Sequence, residues 1–319
     1  MRLLPLLVAS AAAALAACAP EEVAHVDQGA PAALTTTNGD NLNGDNLNGD
    51  NLNGPGLGGH VVSVGYSSVT RGTLLLDTVS ISGSQLVGTA GSQRFQGADF
   101  AGSYLKGLSD TGKDVYLRVE SATQDPAPDG DTWSYDVSVY DPVHVSWFPL
   151  CTNAGVRVNA LALDGTWNYG VGVPGGGAKT VDGKNFTFAC RSVGAIGKCA
   201  SIVGYKPWRT VNGVSLDRHH QACVRLLRAD FCGNGQPYTV NGNRVDIYDG
   251  IGVQQDTESL WFFEAEWDTN GARCFSPVNR SRSAVPCYQP RTDVSCGQSS
   301  HFQGGALLMN KTPTSGVTP

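Results

Sequence analysis

Charged side chains are scarce in this chain of 319 residues: Lys, Arg, Asp and Glu together supply 16% of it. That scarcity, beside 40 glycines, argues against coiled coils and long solvated helices and for short strands and turns. Basic residues number 22 against 28 acidic ones, with no Lys/Arg run, so the net charge of −6 leaves no electrostatic footprint for nucleic acid. No Cys-x2–4-Cys pair occurs; the nearest cysteines stand nine residues apart, which removes a structural zinc site. A Gly-x-Ser-x-Gly elbow is missing too, so nothing supports a serine nucleophile. The glycine-rich run at 170–179 lacks a Lys-Ser/Thr pair at the spacing of a phosphate cradle and the helix whose N-terminus would hold the anion, and it reads as a loop. What remains is a 41% apolar content, enough for a real core, and a length that suits one or two domains.

The first residues give an address. Met1 and Arg2 precede an apolar stretch from Leu3 to Ala17, broken only by Pro5 and Ser10. It falls short of the ~20 residues a spanning helix needs, and 1–17 read as a signal peptide. The stretch ends Leu15-Ala16-Ala17-Cys18, which resembles the lipobox of bacterial lipoproteins. That resemblance implies cleavage before Cys18, a diacylglycerol on its sulfur and an acyl group on its new amino terminus, a stable membrane anchor. Ala19 and Pro20 follow, with no Asp in the position linked to inner-membrane retention, so it also implies an outer-membrane protein of the cell envelope. Plain cleavage after Leu15-Ala16-Ala17 would instead leave Cys18 as a lone exposed thiol.

From Cys18 to residue 37 the chain has no hydrophobic period and reads as a flexible tether. A five-residue frame then occupies 38–107. DNLNG occurs three times between 40 and 54, and Leu42, Leu47, Leu52 and Leu57 recur every five residues. The frame returns as VSISG and SQLVG at 79–88 and, after a slip, as QRFQG, ADFAG and SYLKG centred on Phe95, Phe100 and Leu105. Five suits neither an α-helix nor a flat strand. The units resemble pentapeptide repeats, which implies a right-handed β-solenoid with the central Leu or Phe inward. The expectation is a short solenoid-like region packed on the next domain, with DNLNG equally readable as a polar spacer.

Beyond it, 108–296 is expected to form a disulfide-rich α+β domain, strand-rich with two main helices, and 297–319 a C-terminal tail. Val115, Leu117 and Val119 alternate after an Asp110-Thr111-Gly112-Lys113 turn, as do Trp133, Tyr135, Val137 and Val139, and Phe186, Phe188 and Cys190. Asn241-Gly242 is the strongest hairpin signal. One helix is expected over about Val193 to Val203. A second runs from an N-cap at Ser215 to about Ala229, burying the seam Leu216, His220, Cys223, Leu227 and Asp230. The blocks GAIGKC (194–199), GYKPW (204–208), HQACVR (220–225), RADFCG (228–233), EAEW (264–267) and GARC (271–274) resemble the ADYC domain of exported bacterial proteins over about 140–280. That domain is named for an Ala-Asp-Tyr-Cys motif. Phe231 stands where the motif has tyrosine, which implies aromatic packing there rather than an essential phenol. The resemblance implies no particular activity.

With Cys18 given to the anchor, Cys151, Cys190, Cys199, Cys223, Cys232, Cys274, Cys287 and Cys296 read as four disulfides. Their connectivity is open, with a local Cys287–Cys296 bridge expected. Two constellations could carry catalysis. His219 or His220 with Asp230 offers a base and a carboxylate, with Arg225 and Arg228 as anion partners. Continuous helix would put His219 and Asp230 about 16 Å apart, so these residues read better as packed core groups. Glu264, Glu266 and Asp268 alternate as if on one strand face, the paired carboxylates of a glycoside hydrolase or merely a solvated face. Trp261, Phe262, Phe263 and Trp267 around them suit a sugar platform or a core. No cofactor or metal is implied. The reading is a lipid-anchored envelope protein with a non-catalytic binding or structural role towards an envelope protein or glycan. The alternative is an envelope hydrolase built on Glu264 and Glu266 or on His220 and Asp230.

Overall fold

The computed structural model describes residues 35–37, 61–281, 283–288 and 296–313. Strands longer than two residues are numbered in chain order. They begin with β1 (Thr35–Thr37), β2 (Val61–Gly65), β3 (Thr78–Ser82), β4 (Gln85–Ala90) and β5 (Gln93–Gln96). Then come β6 (Ser103–Ser109), β7 (Asp114–Gln124), β8 (Trp133–Asp141), β9 (Ser146–Pro149), β10 (Ala160–Asp164) and β11 (Asn185–Cys190). The period-two segments of the sequence are strands, and β2, β6, β7, β8, β10 and β11 pair antiparallel in that order. β11 returns to β2, with Phe186 opposite Val64, and closes a six-stranded barrel. Its interior holds the alternating residues Leu105, Leu117, Val119, Tyr135, Val137 and Phe188. The Tyr135 hydroxyl accepts the Leu86 N–H at 2.7 Å, so the one phenol in this core is satisfied.

The expected α+β class is overturned. Among the described residues strand makes up 41% and helix, 3-10 turns included, 12%, and the α-helices are α1 (Ala195–Ser201) and α2 (Asp217–Arg228). Successive alternating segments joined by short turns can pair only antiparallel, so no crossover helices are needed and the sheet closes on itself. The barrel draws β2 and β6 from before residue 107 or across it, and the other four strands from beyond. No domain boundary therefore falls there, and residues 33–319 form one compact unit.

The five-residue units between 79 and 107 are no solenoid. β3, β4 and β5 form an antiparallel meander, with Ser82 opposite Gln85 and Ala90 opposite Gln93. Gly83-Ser84 and Gly91-Ser92 are two-residue turns whose glycines sit at φ 69° and 56°, the geometry that reverses a chain between antiparallel strands. The central residues Leu86, Phe95 and Leu105 are buried as the frame implies, but in antiparallel strands, and Phe100 is buried in a 3-10 turn over Gly97–Phe100. The DNLNG units at 40–54 lie outside the described residues.

A second sheet follows the barrel: β12 (Arg244–Asp249), β13 (Phe262–Asp268), β14 (Gly271–Phe275) and β15 (Leu308–Thr312), in the order β1-β12-β15-β13-β14. The expected tail thus supplies a central strand. Asn241-Gly242 is a turn with Gly242 at φ 91°, yet no strand precedes it, so it makes no hairpin. α2 packs on this sheet and on α1, α1 packs on β11 of the barrel, and Leu161, Leu163 and Ala189 of the barrel share one core with Ala265, Trp267 and Leu308 of the sheet. α2 is buried on every face from His219 to Arg228, not along one seam alone. Its N-cap is Leu216, without a side-chain hydrogen bond, rather than Ser215.

Candidate functional site

α2 carries an unusual load for a buried helix, since Gln221, Arg225 and Arg228 must find partners inside the protein. The glycine-rich loop, with the backbone at Gly235 and Thr269, supplies them. Gln221 donates to the Gly177 carbonyl and accepts from the Trp167 indole, both at 2.9 Å. Arg225 donates to the Gly176 and Thr269 carbonyls, and Arg228 to that of Gly235. A side chain at Gly176 would collide with the Asn234 carbonyl, so the loop can close on the helix only with glycine there. Its function is thus to receive side-chain donors.

Asp230 completes the group. α2 ends at Ala229, whose φ of 50° and ψ of 40° turn the chain through the left-handed region. That turn aims the Asp230 carboxylate back at Arg225, and the two form an ion pair with 2% and 0% of their side chains exposed. The Asn234 and Gly235 N–H groups donate to the same carboxylate at 3.1 and 2.9 Å. Phe231 stacks on Trp267 and Phe275 with ring centroids 5.2 and 4.6 Å apart, and Cys232 is bonded to Cys287.

The histidines are spent differently. His220 is fully buried; its Nε2–H donates to the Ile196 carbonyl at 2.9 Å, and Nδ1 has no partner. Burial, helped by the charge of Lys179, pushes its pKa down to about 3, so the ring is neutral. His219 stacks on Tyr205, whose hydroxyl donates to Asp249 at 2.6 Å. Burial lowers the His219 pKa, against the pull of Asp249. Neither ring touches Asp230.

β13 does not present its acids on one solvated face. Its pairing slips between Phe263 and Ala265 on one edge and between Glu266 and Trp267 on the other, and each bulge re-aims a side chain. Glu264 and Glu266 are both buried, in separate pairs. Glu264 meets Arg280 at 2.9 Å, accepts the Arg280 backbone N–H at 2.7 Å and accepts a hydrogen bond from the Asn310 side-chain amide, whose oxygen in turn accepts the Trp267 indole N–H. Burial lowers the Arg280 pKa, and Glu264 opposes that. Glu266 accepts from His301 Nδ1 at 2.6 Å and from the Gly297 N–H at 2.7 Å. Asp268 only caps a turn, accepting the Asn270 N–H. Trp267 is core, whereas Phe262 is exposed. Arg280, His301 and Asn310 escaped the sequence reading because they reach these acids from 16, 35 and 46 residues away with no spacing to mark them.

The disulfides are Cys151–Cys190, Cys199–Cys223, Cys232–Cys287 and Cys274–Cys296. The expected local Cys287–Cys296 bridge is therefore wrong: Cys287 is tied back to Cys232 at the end of α2 and Cys296 to Cys274 in β14. Among the described residues, Glu266, Cys274 and Cys296 lie close enough to hold a metal ion, but the two sulfurs are bonded to each other and do not fit as ligands. Two half-open clefts of about 370 and 390 Å³ flank the helix, one walled by Asp164, Lys179, Trp208 and Asp217, the other by Phe231, Asn270 and Arg273. His220, Asp230, Glu264 and Glu266 line neither.

The ADYC domain family matches residues 97–281, more than half of the chain. The chain belongs to the ADYC domain family. The match starts just before β6 and ends after Arg280, so it takes in five of the six barrel strands, both helices, β12, β13 and β14. The four residues at the family's namesake motif, Ala229 to Cys232, each hold the end of α2 in place: a left-handed cap, a buried ion pair, a stacked ring and a disulfide. No curated protein and no solved structure matches the chain.

Proposed function

We propose that this ADYC-domain protein is a lipid-anchored protein of the bacterial cell envelope with a non-catalytic binding or structural role. The observation that carries the second half is the state of its four acid–base candidates. Asp230 and Glu264 have their oxygens taken by buried donors, Glu266 is closed by His301 and Gly297, and His220 is neutral and sealed. A general acid or base needs a lone pair or proton within reach of a substrate, and these buried groups line neither cleft. The four disulfides support an oxidising compartment. The lipobox-like Leu15-Ala16-Ala17-Cys18 supports the anchor.

The test joins both halves. The intact precursor should incorporate palmitate and be arrested by globomycin, while Cys18→Ser should release the protein from the membrane fraction. Purified mature protein should leave envelope substrates unhydrolysed. Turnover that Glu264→Gln abolishes while the fold survives would establish the hydrolase instead.

A further inference from the structure

On the outer wall of the barrel, β6, β7, β8 and β9 turn a row of aromatic rings away from the core. Tyr104 lies opposite Arg118 and Arg118 opposite Ser138, while Lys106 pairs with Tyr116 and Tyr140 with Trp147. Tyr104 and Tyr116 are 41% and 55% exposed, far more than rings left over from a core. Trp147 folds across the wall, its ring centroid 5.2 Å from Tyr140 and 5.9 Å from Tyr104, with the Arg118 guanidinium 4.6 Å from its centre. Glu120 holds that guanidinium in plane through Nε and Nη2, and Ser138 bonds to Glu120. The result is a pre-set platform: rings and one planar polar fork whose positions cost little to order on binding.

The charges on this wall decide its partner. Lys106 is paired with Asp114 at 2.8 Å, Arg118 with Glu120 at 2.7 Å and Arg157 with Asp136, so the six cancel. A phosphate-rich ligand or anionic lipid surface would want unpaired cations, and a second copy of the chain would want continuous apolar area; paired charges between the rings offer neither. They complement an uncharged, hydroxyl-rich ligand that stacks its C–H faces on the rings and bonds its hydroxyls to the fork. Three to four strands at ~4.8 Å spacing give a platform of roughly 10–14 Å, room for two or three sugar units in line. We infer that this wall binds a linear, uncharged glycan, the N-acetylated backbone of the cell wall, with Trp147 and Tyr116 as its stacking residues. This rests on the envelope-binding reading above and names its ligand.

The full mature protein should co-sediment with peptidoglycan sacculi, and chitohexaose should change its tryptophan fluorescence saturably. Trp147→Ala and Tyr116→Ala should each weaken chitohexaose binding about tenfold or more. Tyr116 stands clear of the core, so its variant keeps the native circular dichroism. Trp261→Ala, which removes a ring outside this wall, should bind as the wild type. Failure to bind both sacculi and chitohexaose, preference for maltohexaose alone, or unchanged binding by both platform variants would overturn the assignment. So would a concentration-dependent dimer abolished by Trp147→Ala, which would make the occupant a second copy. Release of reducing ends from chitohexaose would instead defeat the non-catalytic reading and leave the platform standing.

Discussion

His220 shows how burial disarms a side chain that the sequence offers as a base. Its one donated bond goes to a helix carbonyl, and its pKa of about 3 lies far below the ordinary histidine value of ~6.5. Between those values the unfolded chain takes up a proton that the native chain refuses. His220 therefore leaves stability untouched above about pH 6.5 and removes it progressively as pH falls towards about 3, on the order of a few kcal/mol in all. Glutamine at this position can still donate to Ile196 and does not titrate. His220→Gln should thus flatten the acid limb of a plot of urea midpoint against pH, even if its stability at pH 8 is lower. His219, lowered by burial in the same direction, keeps part of the slope. An acid limb identical to that of the wild type would show that the imidazole is not the group being protonated.

At the scale of elements, the strands were legible and their closure was not. Alternation marks β7, β8 and β11 because each has one face in the barrel, whereas the β2–β11 pairing joins residues 120 positions apart and leaves no local trace. Of the framed glycines between 79 and 96, Gly83 turns a hairpin whereas Gly88 lies inside β4 opposite Val79 and Phe95, and one spacing covers both roles until pairing is known. The candidate acids were visible as residue types, but their partners come from other elements, and that converts a plausible active site into bolts. α1 shows a constraint of the same kind. Gly197 faces the Cys190 carbonyl so closely that a methyl group there would overlap it. Alanine favours helix over glycine by ~1 kcal/mol, so propensity alone predicts stabilisation. The overlap predicts the reverse, because α1 would have to move off β11. Gly197→Ala should lose about 1–3 kcal/mol or more in chemical denaturation, and a gain would show that the contact yields easily.

The whole molecule is built as two cores on either side of one wall. In β10, Ala160 and Ala162 face the barrel interior while Leu161 and Leu163 join the helical core; in β11, Phe186 and Phe188 face inward and Ala189 outward. Two hydrophobic cores usually suggest two folding units, but here neither can keep its packing if β10 and β11 leave the sheet. The second core also encloses the Arg225–Asp230 and Arg280–Glu264 pairs, which lose their dry surroundings once that wall opens. Disulfides stand on both sides as well, Cys151–Cys190 in the barrel core and Cys199–Cys223 in the helical one, so both cores open from a constrained chain. The shared wall therefore predicts one cooperative transition. In native-state hydrogen exchange, the slowest amides of β7 and of β13 should report the same opening free energy. Leu161→Ala removes a fully buried side chain that touches only the helical core, yet it should lower both values together by ~2–5 kcal/mol. If the β13 amides alone lose protection while those of β7 keep theirs, the barrel stands by itself and the helical layer is an appendage to it.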